Sequence, residues 1–247
     1  RAWKHQTHRD DEVAAFRAGV ARLGLSPVVV HASYLLNLAT PDLALHRKSI
    51  ELLNETARWA AALGASTVIL HPGQCDDATM AAGLTRTTDC LRAALKSLPE
   101  GMSLSLEMSS GGRGSVGASF EHFAAILEHL RGDDRVRVWL DTAHAFGAGY
   151  DLGTTAGARH LVATIRGTVG LDRVAGVHAN DSKAALGSRR DLHENIGEGT
   201  IGNAGFRALL REPFFRRLPH IMETPGFDGL GPDLENMTRL KRLRVLE

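Results

Sequence analysis

Cysteine is scarce in this chain, net charge is nearly absent, and no apolar stretch is long enough to span a membrane. There are 2 cysteines, Cys75 and Cys90, and they form no CxxC. That excludes a disulfide framework and points to a reducing, cytoplasmic compartment, each thiol being a small semi-buried side chain. Lys and Arg number 29 against 28 Asp and Glu, a formal balance of +1. Such a balance argues neither for nor against a polyanionic partner, because a local basic surface can act alone. The sequence opens at Arg1 with no signal-peptide pattern in its first residues. The opening Arg1-Ala2-Trp3-Lys4-His5 reads as a loop interrupted mid-element, so the expectation is a truncated or processed N-terminus. No linker, low-complexity tract or composition break divides the chain, and residues 1–247 are expected to form a single domain.

What is present is a repeated pattern. Six short apolar runs each end in a residue type that binds metals. They are Val28-Val29-Val30-His31, Val68-Ile69-Leu70-His71, Leu104-Ser105-Leu106-Glu107, Val138-Trp139-Leu140-Asp141, Ala175-Gly176-Val177-His178 and Ile221-Met222-Glu223. His, Asp and Glu together are roughly one residue in six, so six such endings by accident have a probability of order 10⁻⁵, loosened about a hundredfold by freedom in where each run stops. Helical patterns separate the runs: Asp10 to Leu23, Asp42 to Leu63, Thr79 to Leu98, Ser119 to Leu130, Thr155 to Val169, Gly205 to Leu210 and Gly231 to Val245. Pro41 and Gly64 punctuate the second of these, and Ser119 suits an N-cap.

Strand alternating with helix predicts an α/β fold with a parallel sheet. An open sheet places its site at one switch point, whereas a (β/α)8 barrel gathers the C-terminal ends of all its strands on one face. The pattern therefore predicts a TIM-type barrel. Six strand–helix units are countable where such a barrel has eight, so the first two βα units are expected to precede Arg1.

The strand ends supply imidazole and carboxylate, the donors zinc prefers. Glu107 can bridge two ions. Asp141 and His144, three apart, let one strand end serve two ions, and Asp191 and His193 sit at i and i+2 in an extended loop. A single histidine is usually a hydrogen-bonded structural residue. Here five (His31, His71, His144, His178, His193) lie at strand ends or in the following loops, while the other seven fall in helices, at the N-terminus or at a strand start. With Glu107, Asp141, Asp191 and Glu223 they make nine ligands, which suits two or three ions. Three divalent ions over four carboxylates leave the site formally cationic, about +2, and attractive to phosphate. Such a cluster is suited to phosphodiester hydrolysis.

Taken in order, the motifs resemble endonuclease IV, the zinc-dependent apurinic/apyrimidinic endonucleases of base excision repair. The segments that carry the resemblance are His31-Ala32-Ser33-Tyr34-Leu35-Leu36-Asn37, His71-Pro72-Gly73, Asp141-Thr142-Ala143-His144-Ala145-Phe146-Gly147-Ala148-Gly149-Tyr150-Asp151, His178-Ala179-Asn180-Asp181-Ser182-Lys183 and Glu194-Asn195-Ile196-Gly197-Glu198-Gly199. The resemblance implies a (β/α)8 barrel with about three zinc ions; the sequence leaves open whether manganese replaces zinc in part. It assigns His31, His71 and Glu107 to the first ion, Glu107, Asp141, His178 and Glu223 to the second, and His144, Asp191 and His193 to the third. Glu107 would bridge and position the attacking hydroxide.

The implied substrate is double-stranded DNA with abasic sites, cut on the 5′ side to leave a 3′-hydroxyl and a 5′-deoxyribose phosphate by a monomeric enzyme. Tyr34 and Leu35 match a loop that enters the DNA, and Arg1 matches an arginine inserted into the base stack. Lys183, Arg189 and Arg190 are placed to contact phosphates. The chain departs from the family at Arg113, where Gln is usual, and at Leu192, where Arg is frequent. Two alternatives stand beside this reading. One is a metal-dependent sugar isomerase or epimerase on the same barrel, which would manage with fewer ions. The other is an inactive barrel fragment.

Overall fold

A computed structural model of the chain describes residues 8–245. Arg1, expected in the base stack, lies outside the described residues. The chain folds into two compact units. The first runs through Leu106 and includes Ala125–Arg137; the second comprises Glu107–Ala124 and the chain from Val138 onward.

In the first unit, α1 (Asp10–Leu23) opens on the glutamate half of a capping box. The Arg9 N–H donates to the Glu12 carboxylate at 2.9 Å, and Gly24 ends the helix in the left-handed region. Strand β1 (Val29–His31) leads to α2 (Leu43–Ala62). Asp42 caps α2 by accepting from the N–H groups of Ala44 and Leu45. Strand β2 (Thr67–Leu70) follows, then α3 (Met80–Leu95) and β3 (Ser103–Glu107). Helix α3 stops three residues short of the expected Leu98, because Lys96 and Ser97 donate to carbonyls three residues back and tighten the last turn ahead of Pro99.

Strands β1, β2 and β3 pair in parallel, with Val29 opposite Thr67, His31 opposite Ile69 and Leu70 opposite Leu106. Every residue of β2 is buried, the signature of a strand covered on both faces. Leu52, Leu53 and Ala57 of α2 supply part of that cover. Each large aliphatic side chain so buried contributes about 1.5–3 kcal/mol.

The chain passes between the units within β3, within α4 (Phe120–His129) and within β4 (Val136–Asp141). In the second unit α5 (Thr142–Ala148) follows β4 directly, and α6 (Thr155–Gly167) leads to β5 (Val174–His178). A short antiparallel pair comes next, β6 (Asp181–Ser182) with β7 (His193–Glu194). The chain ends with α7 (Gly202–Arg211), α8 (Pro213–Arg216), β8 (His220–Ile221) and α9 (Leu234–Arg244). Helix α9 starts three residues later than the periodicity suggests, because Asp233 caps it by accepting from the Asn236 N–H at 2.8 Å.

Strands β4, β5 and β8 are parallel, and their register sets Asp141 beside His178 and His178 beside Ile221. The strand ends that carry Asp141 and His178 are thus level with one another. Among the described residues no helix is long and apolar enough to cross a membrane.

Candidate metal centre

In the first unit two imidazoles lie close together. His31 ends β1, His71 follows β2 by one residue, and their ring centroids lie 5.4 Å apart. Nδ1 of His31 is 2.7 Å from the Ala32 carbonyl, which only accepts, so Nδ1 carries the proton and Nε2 keeps its lone pair. The loops after the two strands are locked together by Asn37. Its Oδ1 accepts from the N–H groups of Ala39 and Gln74, and its Nδ2 donates to the Gln74 carbonyl. Gly73 permits this at a φ of 107°, since a Cβ there would meet the Asn37 amide. In the loop so braced, Tyr34 is 67% exposed, beside a half-buried Leu35.

In the second unit, donor atoms of Glu107, Asp141, His178 and Glu223 all lie within 4.8 Å of one another. So do those of Asp141, His144 and His193. Asp141 belongs to both groups. Glu107, Asp141, His144 and His178 are buried, and an unpaired carboxylate in such a place would carry a large desolvation cost. The carboxylates are balanced by nearby imidazoles: Glu107 Oε1 is 2.6 Å from His178 Nδ1, and Glu223 Oε2 is 3.4 Å from the same nitrogen. Asp191 Oδ1 lies 3.0 Å from His144 Nε2 and 3.3 Å from His193 Nε2, so the expected trio is brought together, with Asp141 joining it.

The clustered carboxylates favour positive charge in this pocket of the second unit. Burial lowers the affinity of His144 for a proton, but Asp141, Asp191 and Glu107 outweigh it and raise the pKa to about 10. His178 is raised in the same way, burial opposing and Glu107 with Asp141 and Glu223 prevailing. A divalent ion brings more positive charge than a proton, and the imidazole and carboxylate donors suit zinc. Hydrogen bonds also orient the rings. His144 Nδ1 donates to the Met108 carbonyl at 2.9 Å and His193 Nδ1 to the Glu223 carbonyl at 3.2 Å, so in each ring Nε2 is the atom that could bind an ion.

Three residues that shape the site were not foreseen as functional from the sequence. Thr142 and Asn180, both buried, lie against the ligand strands. Asp181 is buried too, and its carboxylate accepts from the backbone N–H groups of Ser182, Gly197, Gly199, Ile201 and Gly202, gathering the loop after β7. A lone carboxylate in a sequence followed by closely spaced glycines was the available signal.

Of the expected DNA-contacting residues, Lys183 is exposed and sits 3.6 Å from Glu194. Arg189 and Arg190 are exposed in the loop between β6 and β7. That loop is pinned to α5: the Gly187 N–H donates to the Phe146 carbonyl and the Arg189 N–H to that of Gly147. Arg189 takes a φ of 59°, a conformation rare for a residue with a side chain. Arg113 and Leu192 are exposed as well.

The family model of the xylose isomerase-like TIM barrel matches residues 2–243. A protein of Methanoculleus marisnigri, described as probable endonuclease 4, is 38% identical over 244 residues, covering 98% of this chain and 86% of its own length. Among solved structures, endonuclease IV from Thermus thermophilus aligns with a TM-score of 0.83 at 33% identity, over 99% of this chain and 84% of that one. A D-tagatose 3-epimerase-like protein aligns with a TM-score of 0.73 at 20% identity over 94% of this chain and 82% of that one, a likeness of fold alone.

Proposed function

The chain belongs to the endonuclease IV family of xylose isomerase-like TIM barrels, and from that premise we propose that it is a metal-dependent endonuclease that cuts double-stranded DNA 5′ to an abasic site, leaving a 3′-hydroxyl and a 5′-deoxyribose phosphate. The observation that carries this reading is the pair of donor groups joined through Asp141, with Asp191 beside the second of them. A site for one ion needs a single such group. Two groups suit a polynuclear centre acting on a phosphodiester.

His31 and His71 are assigned as imidazole donors for a further ion, for a total of about three, with zinc the expected metal and manganese a partial substitute. Divalent ions, when bound, lower the pKa of water and offset the charge that builds on phosphate and leaving oxygen. The residues of the chain do the rest. Glu107, a buried carboxylate, would hold the ions that activate the nucleophile, as the bridging ligand of the set. His144 and His193 present Nε2 toward Asp191, at the more exposed side of the site, where the leaving 3′ oxygen is assigned. Tyr34 and Leu35 form the wedge that holds the abasic nucleotide out of the stack. Lys183, Arg189 and Arg190 contact flanking phosphates.

The test is a duplex carrying one tetrahydrofuran abasic analogue. Zinc-loaded, folded protein is expected to nick it on the 5′ side and to leave an undamaged duplex intact. Absence of nicking, or turnover of a ketose in its place, overturns the reading.

A further inference from the structure

The side-chain amide of Asn180 ties two ligand-bearing segments together. Its Nδ2 donates to Asp141 Oδ2 at 2.7 Å, and its Oδ1 accepts from the backbone N–H of Glu223 at 2.7 Å. A flipped amide would set its oxygen against the carboxylate and its NH2 against an N–H, so the partners fix its orientation. The residue is fully buried, and so is Thr142. The Thr142 hydroxyl donates to the Asn180 carbonyl at 2.6 Å and accepts from the Asn180 N–H at 2.9 Å, which anchors the residue through its own backbone groups.

The backbone explains why a side chain is needed here. Strand β8 is only two residues long, and its ladder with β5 ends where the Ala179 N–H donates to the Ile221 carbonyl. Glu223 lies two residues farther on. The Asn180 amide oxygen supplies the acceptor for the Glu223 N–H, carrying the ladder one step past the end of the strand. At Asp141 the amide holds one carboxylate oxygen while the His144 N–H holds the other at 2.8 Å. Each oxygen retains a lone pair for an ion, and the carboxylate cannot rotate.

We propose that Asn180, anchored by Thr142, is a positioning residue of the metal centre, setting Asp141 and Glu223 at the separation in which they share an ion with Glu107 and His178. The inference rests on the metal centre proposed above. Residues behind metal ligands typically govern affinity by about 10- to 100-fold.

Zinc affinity by competition with a chromophoric chelator, and zinc content by mass spectrometry, read this directly in the full chain. Asn180→Ala is expected to bind zinc at least about tenfold more weakly than the unaltered chain. Thr142→Val, which keeps the shape and removes the hydroxyl, is expected to weaken binding in the same direction, and Thr142→Ser to restore it. Unfolding midpoints of the metal-free proteins separate this from simple loss of fold, since a merely structural role would lower the midpoint and leave the affinity of the folded protein unchanged. Should Asn180→Ala fail to fold, the Thr142 pair decides. Unaltered zinc affinity in folded Asn180→Ala, or equal affinity in Thr142→Val and Thr142→Ser, overturns the positioning role. A parent chain that binds no zinc overturns the metal centre itself, a distinct result.

Discussion

The indole of Trp139 fills the space that a side chain at Gly176 would need. A Cβ at Gly176 would stand 2.2 Å from the Trp139 ring, and the two residues face each other across the β4–β5 pairing. The same indole also meets His178, with ring centroids 5.4 Å apart. Gly176→Ala therefore overpacks a buried contact that touches His178. The expected cost is about 1–3 kcal/mol in urea unfolding, with weaker zinc binding as the indole presses on His178. An unchanged unfolding midpoint would show that the strand pair yields freely.

Glu107→Gln keeps the shape of a buried side chain and removes its charge. The loss of one carboxylate from the donor set is expected to lower zinc content and to cut nicking by about a hundredfold or more, while duplex affinity changes little. Activity near that of the parent would remove Glu107 as the bridging ligand.

Tyr34 stands far out from its loop, and Asn37 braces that loop rather than Tyr34 itself. Tyr34→Ala is expected to lose about 1–3 kcal/mol of stacking, roughly 5- to 150-fold in the preference for abasic over intact duplex. Zinc content should not move. A fall in zinc with discrimination preserved would make Tyr34 a packing residue.

Two histidines outside the site predict an acid limb of stability. His122 is half-buried, with Nδ1 accepting from the Gly117 N–H, and burial lowers its pKa below the usual 6.5. Burial lowers His220 as well, its Nε2 donating to the Phe215 carbonyl. Between the lowered value and 6.5 the unfolded chain binds more protons than the folded one, so stability rises with pH across that window and falls below pH 6.5. His122→Asn keeps an acceptor for Gly117 and cannot titrate. It is expected to flatten the pH dependence of the unfolding midpoint relative to the parent, and parallel curves for the two proteins would acquit His122.

The Cys90 thiol is buried beside His46, and burial pushes its pKa up to about 12. Iodoacetamide at mildly alkaline pH is expected to leave Cys90 unmodified until the protein unfolds. Rapid alkylation of the native protein would contradict that burial.

Much of the site was legible from strand endings, because a polar residue closing an apolar run needs a buried partner. Glu107, Asp141 and His178, all buried, stand at the ends of their strands for that reason, whereas His31 ends β1 exposed. Helix α5 was not legible. Six of its seven residues are buried, so it has no polar face to give a helical period, and its cap is Asp141, already read as a ligand. The β6–β7 pair is two residues long on each strand, too short for alternation, and follows from the hydrogen bonds that Asp181 gathers. Asn180 escaped because its role depends on where β8 stops, which no local pattern encodes.

Asp141 ends a strand, caps α5, accepts from Asn180 and belongs to both donor groups. One substitution there would strike folding and chemistry together, which narrows the routes by which such a chain could decay gradually into a silent DNA-binding relic. Asp191, 57% exposed in a loop, lies outside that knot. An investigator seeking a substrate-trapping form that still folds would begin at position 191.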